Sequence, residues 1–84
     1  MIKEKHIDIV IVNWNSGKFL SKCITSLIDN DSALINKIII VDNASSDKSA
    51  DFLKDINFNK IKYIKLNSNE GFARGCNIGA ASSQ

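Results

Sequence analysis

The chain has 84 residues and a formal net charge of +2, with 44% hydrophobic and 24% charged residues. This length allows a single small domain, residues 1–84, and fourteen isoleucines are too many for a chain that stays disordered. Ten of the eleven positive residues are lysines spread along the sequence, so we expect no nucleic-acid partner.

The first predicted unit is a strand, a polar loop and a helix. Residues 7–12 are almost all β-branched and apolar, which is typical of a strand covered on both faces. After the loop at residues 13–17, apolar side chains recur at helical spacing from Phe19 to Ile28. The polar residues 30–32 should close this helix.

Two further units repeat the same order. The second has a strand at residues 37–41, a loop at 42–46, and a helix capped by Ser46 or Asp47 with an apolar face at residues 50, 52 and 53. The third has a strand at residues 61–66 that alternates apolar residues with lysine, as at a sheet edge. A loop and a helical pattern that starts at Phe72 follow, in which Gly71, Gly75 and Gly79 suggest close packing on the sheet.

This alternation predicts a three-layer α/β fold with a parallel sheet of strand order 3-2-1, half of a doubly wound sheet. In such a sheet every strand-to-helix loop leaves the carboxyl edge. The loops at residues 13–16, 42–47 and 67–74 should therefore converge on one crevice, which is where open α/β sheets bind ligands.

The usual ligand motifs of such sheets are missing. The first loop has one glycine, so neither a Gly-x-Gly-x-x-Gly dinucleotide motif nor a P-loop is present. Asn13 and Asn67 stand where a receiver domain needs acidic residues, and no Gly-x-Ser-x-Gly elbow occurs. These four classes of site are excluded.

The crevice instead collects amides, one carboxylate, one indole and one guanidinium. Amides match the donor and acceptor edges of a base, an indole can stack on a ring, and a guanidinium can pair with phosphate. This chemistry indicates a nucleoside diphosphate. The candidates that this reasoning names are Trp14, Asp42 and Arg74, together with asparagines of the three loops.

Several of these side chains also have a structural interpretation. Asp47 is more typical of a helix N-cap than of a ligand contact. Asn15 fits a turn equally well, and Trp14 can simply cover the sheet edge. Asp42 and Arg74 are the strongest functional candidates, because an aspartate that ends a buried strand has little structural reason to be there.

Three segments together resemble the opening of family 2 glycosyltransferases with the GT-A fold: IVIVNWN, IVDNASSD and NSNEGFARGCNIG. The resemblance runs from about residue 8 to residue 84 and is closest to rhamnosyltransferase-like bacterial members that decorate cell-surface polysaccharides. It implies a site for a UDP- or dTDP-sugar donor. Asn13, Trp14 and Asn15 would contact the nucleoside, Asp42 and Asn43 the base and ribose, and Asn69 and Arg74 the base and diphosphate.

The resemblance also implies what this chain lacks. The family's Asp-x-Asp motif, which holds a divalent metal (Mg²⁺ or Mn²⁺), and its catalytic base both come later than residue 84. We therefore expect the truncated, nucleotide-binding N-terminal half of a GT-A fold, inactive alone and binding no metal through its own residues. The alternatives are a non-catalytic nucleotide-binding or interaction module, and a purely structural remnant.

Location and association complete these expectations. The N-terminal apolar run is too short for a signal or a membrane span, and Cys23 and Cys76 are typical of reduced core thiols. We expect a cytoplasmic protein, whose full-length form can lie at the cytoplasmic face of a membrane. The uncovered edge of the first strand, or uncovered helix faces, should promote self-association.

Overall fold

The computed structural model describes residues 6–83. Within them the chain forms three strands, two α-helices and two short 3₁₀ helices. In chain order these are β1 (Ile7–Asn13), α1 (Phe19–Asp31), a 3₁₀ helix (Ser32–Leu34), β2 (Ile35–Asp42), a second 3₁₀ helix (Asp51–Asp55), β3 (Ile61–Lys65) and α2 (Phe72–Ser82).

The three strands form a parallel sheet in the order β1-β2-β3, which confirms the predicted topology. In register, Asn13 of β1 lies beside Asp42 of β2, which in turn lies beside Lys65 of β3. The three strands therefore end level with one another. This register brings the polar residues that follow each strand to one edge.

Helices cover both faces of the sheet, so the fold has the predicted three layers. Leu20 and Ile24 of α1 pack with Ile38 and Ile40 of the central strand, which are fully buried. The alternate residues Ile39 and Val41 of β2 are equally buried, and α2 packs on β1 and β2 on that opposite face. Cover on both faces explains why residues 38–41 of β2 are an unbroken apolar run.

Close contact between α2 and the sheet depends on glycine. A Cβ atom at Gly79 would clash with Cγ1 of Val10, and one at Gly75 would lie 2.9 Å from Cγ1 of Val12. Real Cβ atoms do not approach carbon this closely, so the prediction that these glycines permit close packing is confirmed. Gly71 has a different role, because it stands before α2 with φ of 85°, a conformation that favours glycine.

Two predictions about local structure are wrong. The second crossover contains the 3₁₀ helix Asp51–Asp55 instead of an α-helix, and neither Ser46 nor Asp47 caps it, since Ala50 precedes it without a side-chain cap. The side chain of Asp47 instead accepts a hydrogen bond from Gly17 in the first loop. The short 3₁₀ helix then places Phe52 and Leu53 against the core.

The cysteine prediction is also corrected. Cys23 is exposed and Cys76 only half-buried, and both thiols are free. The stripe of α1 that faces the core runs through Leu20, Ile24 and Leu27, and Cys23 lies beside this stripe at the free side of β1. No helix among residues 6–83 is long and apolar enough to span a membrane.

Candidate functional site

A buried polar cluster lies where β1 and β2 end. The side-chain amide of Asn13 donates to Oδ1 of Asp42 at 2.8 Å and to Oγ of Ser49 at 2.9 Å. Asp42 also accepts from the backbone N–H of Ser45 at 2.9 Å and from its hydroxyl at 2.8 Å. Asn13 and Asp42 are 2% and 1% exposed, so their hydrogen-bonding groups are satisfied inside the protein. We call Asn13, Asp42, Ser45 and Ser49 the polar floor.

Asn15 ties the first loop to the second. Its backbone has φ of 47°, in the left-handed region that asparagine tolerates better than most residues. In this conformation its side-chain oxygen accepts the backbone N–H groups of Ser46 at 2.8 Å and Asp47 at 3.1 Å, and its own N–H donates to Oγ of Ser45 at 2.9 Å. Asp47 adds a second connection between the two loops, because its carboxylate accepts the backbone N–H of Gly17 at 3.0 Å.

Hydrogen bonds from Ser49 and Gly17 lower the pKa of Asp47. The hydroxyl of Ser49, which donates to Oδ1 at 2.6 Å, is the main cause that lowers the pKa of Asp47. Desolvation opposes this shift, and the backbone N–H groups of Ser49 and Gly17 reinforce it. Asp47 therefore keeps its negative charge near neutral pH, held by donors of the protein.

Asn43 ties the second loop to the third. Its side-chain oxygen accepts the backbone N–H of Glu70 at 2.9 Å, and its NH₂ group donates to the carbonyl of Gly71 at 2.9 Å. Asn43 is 2% exposed. Its backbone N–H donates to the carbonyl of Asn13 at 2.8 Å, which continues the β1–β2 ladder beyond the strands.

Besides Asn15, three of the predicted site residues are exposed above this buried base. Trp14, 57% exposed, stands between Asn13 and Asn15, whose side chains fix the chain on both sides of it. The side-chain oxygen of Asn69 accepts the N–H of Gly71 at 2.8 Å, which leaves its NH₂ group as a donor. Arg74, whose side chain is 68% exposed, pairs through Nε with Glu70 at 3.1 Å.

A family model for glycosyl transferase family 2 matches residues 8–84. The chain belongs to glycosyltransferase family 2. A comparison with curated proteins finds no match. The parallel three-stranded sheet with helices on both faces is the arrangement expected for the N-terminal half of a GT-A fold.

The family 2 domain thus brings six of its seven predicted site residues into one hydrogen-bonded set of loops. Asn13 and Asp42 touch directly, Asn15 joins them through Ser45, and Asn43 carries the third loop with Asn69 and, through Glu70, Arg74. Trp14 is placed among them by the chain itself. Whether these side chains bind a ligand stays a prediction.

Sequence reasoning missed the partners that hold these residues. Ser45 and Ser49 complete the polar floor, and Glu70 links Asn43 to Arg74. Part of the signal for Ser45 was available, since aspartate side chains often accept hydrogen bonds from backbone N–H groups that follow closely in the chain. Nothing local marks Ser49, because its bond to Asn13 joins residues 36 positions apart.

The ability of the described residues to hold a divalent metal depends on how their His, Cys, Asp and Glu side chains are grouped. Between residues 6 and 83, no group of three His, Cys, Asp or Glu side chains is arranged to hold an ion. Asp42 lies at the right edge of the sheet, but its oxygens already accept three hydrogen bonds and it is buried. We therefore assign no step to a metal in this domain.

An apolar cleft of about 180 Å³ lies beside the polar floor, between the free side of β1 and the start of α1. Ile11, Val12 and Phe19 line it, with Cys23 on one wall and Asn13 at its polar end. Phe19 is 78% exposed. This side of β1 therefore presents apolar surface to solvent.

The phenol of Tyr63 on β3 has a perturbed pKa. Burial raises the pKa of Tyr63, and the carboxylates of Asp42 and Asp51 raise it further. The phenol of Tyr63 therefore stays neutral well above neutral pH. It acts near the sheet as a neutral polar group.

Proposed function

We propose that this family 2 domain binds the nucleoside diphosphate part of a UDP- or dTDP-sugar at the edge where the three loops meet. One observation supports this most. Buried side chains fasten the three loops to each other, while an indole, an amide and a guanidinium remain exposed on them: Trp14, Asn69 and Arg74. These are the groups that stack on a base, bond to its edge and pair with phosphate.

The seven candidate residues then divide into two roles. Trp14, Asn69 and Arg74 contact the donor directly. Asn13, Asp42 and Asn43 form the buried base beneath it, since their side chains already bond within the protein. Asn15 is exposed and orders the second loop through its side-chain oxygen, the only atom of that side chain with a hydrogen-bond partner among the described residues. A direct contact to any of the three buried side chains would require an internal hydrogen bond to break on binding.

The test is a titration with UDP-glucose and dTDP-glucose, followed by the fluorescence of Trp14, the single tryptophan of the chain. We expect saturable quenching by these donors. Arg74→Ala should weaken binding by about tenfold or more, since a charge-assisted bond to phosphate contributes about 1.5–3 kcal/mol. Trp14→Ala, followed by calorimetry, should weaken it by a similar factor.

The matched control is Lys62→Ala. Lys62 is an exposed cation on β3, so this variant lowers the net charge by the same amount as Arg74→Ala without touching the loops. We expect its affinity for UDP-glucose to equal that of the unchanged chain. Absence of binding by the unchanged chain at millimolar donor, or equal losses in both variants, would contradict the proposal.

We also propose that the complete transferase passes the sugar to a cell-surface polysaccharide with a divalent metal held by residues outside this segment, and that these 84 residues alone transfer nothing. The carboxylates of Asp42, Asp47 and Glu70 at this edge are already engaged, so none is free to act as a base. A purified chain incubated with radiolabelled UDP-glucose and polysaccharide should give no labelled product. Its donor affinity should be the same with Mg²⁺ and with EDTA.

The exposed side of β1 favours a second candidate role, association with another copy of this chain. β1 is an edge strand. Its first residue, Ile7, is 54% exposed, and Phe19 at the start of α1 is 78% exposed. Two such edges can pair about a twofold axis. Sedimentation should show a dimer that Ile7→Lys weakens, whereas Leu34→Lys, at an exposed residue before β2, should not. A monomer at millimolar concentration would contradict this.

A further inference from the structure

The side chain of Asn43 makes an unusual pair of contacts. It accepts the N–H of Glu70 and donates to the carbonyl of Gly71, both at 2.9 Å, so one side chain binds two consecutive residues of the loop. The side chain is almost completely buried. We call this pair of bonds the Asn43 bracket. Because it uses both a donor and an acceptor, it fixes the position and the orientation of the loop.

The bracket acts on the start of α2. The carbonyl of Gly71 that accepts from Asn43 also accepts the N–H of Gly75 at 3.1 Å, in the first turn of the helix. A Cβ atom at Gly75 would lie 3.4 Å from Nδ2 of Asn43, so the helix also packs directly against the amide. Asn43 therefore sets where α2 begins relative to β2.

The first turn of α2 carries Arg74. Its Nε pairs with Glu70, the residue whose backbone N–H the bracket holds. Among the described residues, this ion pair uses Nε alone, which leaves both Nη groups available. We propose that Asn43 is a positioning residue: it fixes Glu70 and Gly71, and through them it holds the Arg74 guanidinium for the donor. The last clause rests on the proposed donor site.

The bracket requires an amide. A carboxylate at position 43 could still accept from Glu70, but it could not donate to the carbonyl of Gly71 and would repel it. A protonated carboxyl group regains the donor. In Asn43→Asp the hydrogen bond to the carbonyl of Gly71 should therefore be absent at high pH and form at low pH. The charged groups around it are Glu70 and Arg74, Asp42 next to it in the chain, and Lys65 at the end of β3.

The first experiment needs no ligand. Arg74 is the only arginine, so its Nε–H gives a single, assignable NMR signal. In Asn43→Ser this signal should move towards its position in Glu70→Gln, and the backbone N–H of Glu70 should exchange about tenfold faster, since it loses its acceptor. Asn36→Ser is the matched control, because Asn36 is an exposed residue at the opposite end of β2.

Asn43→Asp keeps the test decisive if Asn43→Ser does not fold. Compared with the unchanged chain at each pH, Asn43→Asp should show fast Glu70 exchange and a shifted Arg74 signal at pH 8. Both deviations should be smaller at pH 5, because burial raises the pKa of such a carboxyl and so increases its protonated fraction there. An Arg74 signal or a Glu70 exchange rate that is unchanged in Asn43→Ser, or a deviation of Asn43→Asp that is the same at both pH values, would overturn the inference.

The second experiment measures coupling through donor binding. UDP-glucose suits it, because both phosphates are esterified and neither titrates between pH 5 and pH 8. At pH 8, Asn43→Asp should weaken binding about tenfold when Arg74 is present and less than about twofold in an Arg74→Ala background. Equal losses in both backgrounds would mean that Asn43 does not act through Arg74. If the unchanged chain binds no donor, the proposed function fails, and the NMR comparison still decides the bracket.

Discussion

Replacement of Gly79 by alanine tests how α2 is seated on the sheet. An added Cβ would clash with Cγ1 of Val10 and would also lie 3.2 Å from Cγ2 of Val41. Both neighbours are β-branched residues in strands, whose side chains cannot rotate away at low cost. The helix must therefore move outward from β1 and β2, or the strands must shift.

Two opposing effects set the magnitude. Overpacking of a close contact costs about 1–3 kcal/mol, and the depth of this clash favours about 3 kcal/mol. Alanine is a better helix former than glycine by about 1 kcal/mol, which offsets part of the cost. Gly79→Ala should therefore lower the free energy of unfolding by about 2 kcal/mol.

Urea unfolding followed by circular dichroism measures this change. Ala80→Gly, at an exposed position in the same helix, gives the propensity effect alone, and we expect a loss of about 1 kcal/mol. In a Val10→Ala background the clash is relieved, so Gly79→Ala should there stabilise the fold by about 1 kcal/mol. If Gly79→Ala stabilises the unchanged chain, or if Val10→Ala does not alter its effect, α2 does not approach the sheet as described.

Two other predictions concern the loops. Asp42→Asn places an NH₂ group against the donors of Ser45 or Asn13, and it should destabilise the ligand-free fold by about 2 kcal/mol in urea unfolding; unchanged stability would show that the polar floor does not depend on the carboxylate. In the folded protein the pKa of Asp47 lies below its ordinary value of 3.8, so the stabilising contribution of its carboxylate is present above that pH and is lost as the pH falls through the lower, folded pKa. Asp47→Asn should therefore lose less stability than the unchanged chain between pH 5 and pH 2, and parallel losses would argue against the bonds to Ser49 and Gly17.

The sequence predicts the layers of this fold well, because strand and helix periodicities are local signals. The run of isoleucines in β2 can be buried on both faces only at the centre of a parallel sheet, and the lysines of β3 mark an edge. The second crossover was harder to predict. Its apolar residues fit a helix, but a 3₁₀ turn delivers Phe52 and Leu53 to the core in fewer residues.

The location of the site could be predicted from the sequence, whereas its contacts could be predicted only in part. Parallel topology alone brings the polar loops to one edge, so the candidates could be named from the order of the elements. Which of these candidates would be exposed could not be predicted, because exposure depends on hydrogen bonds between residues about 30 positions apart, such as that between Asn13 and Asp42. Asp42 shows this most clearly: it has a structural role in the polar floor that its position after a buried strand did not suggest.

The division between a buried floor and exposed contacts has a consequence for binding. A loop that becomes ordered only when a ligand arrives costs conformational entropy, about 1–2 kcal/mol for each residue fixed. Here Asn15 and Asn43 fix the loops by bonds to backbone groups, whether or not a ligand is present. Donor contacts by Trp14 and Arg74 would then contribute to affinity with little ordering cost from the loops. On this reasoning, replacing Asn43 should lower donor affinity even though its buried side chain does not touch the donor.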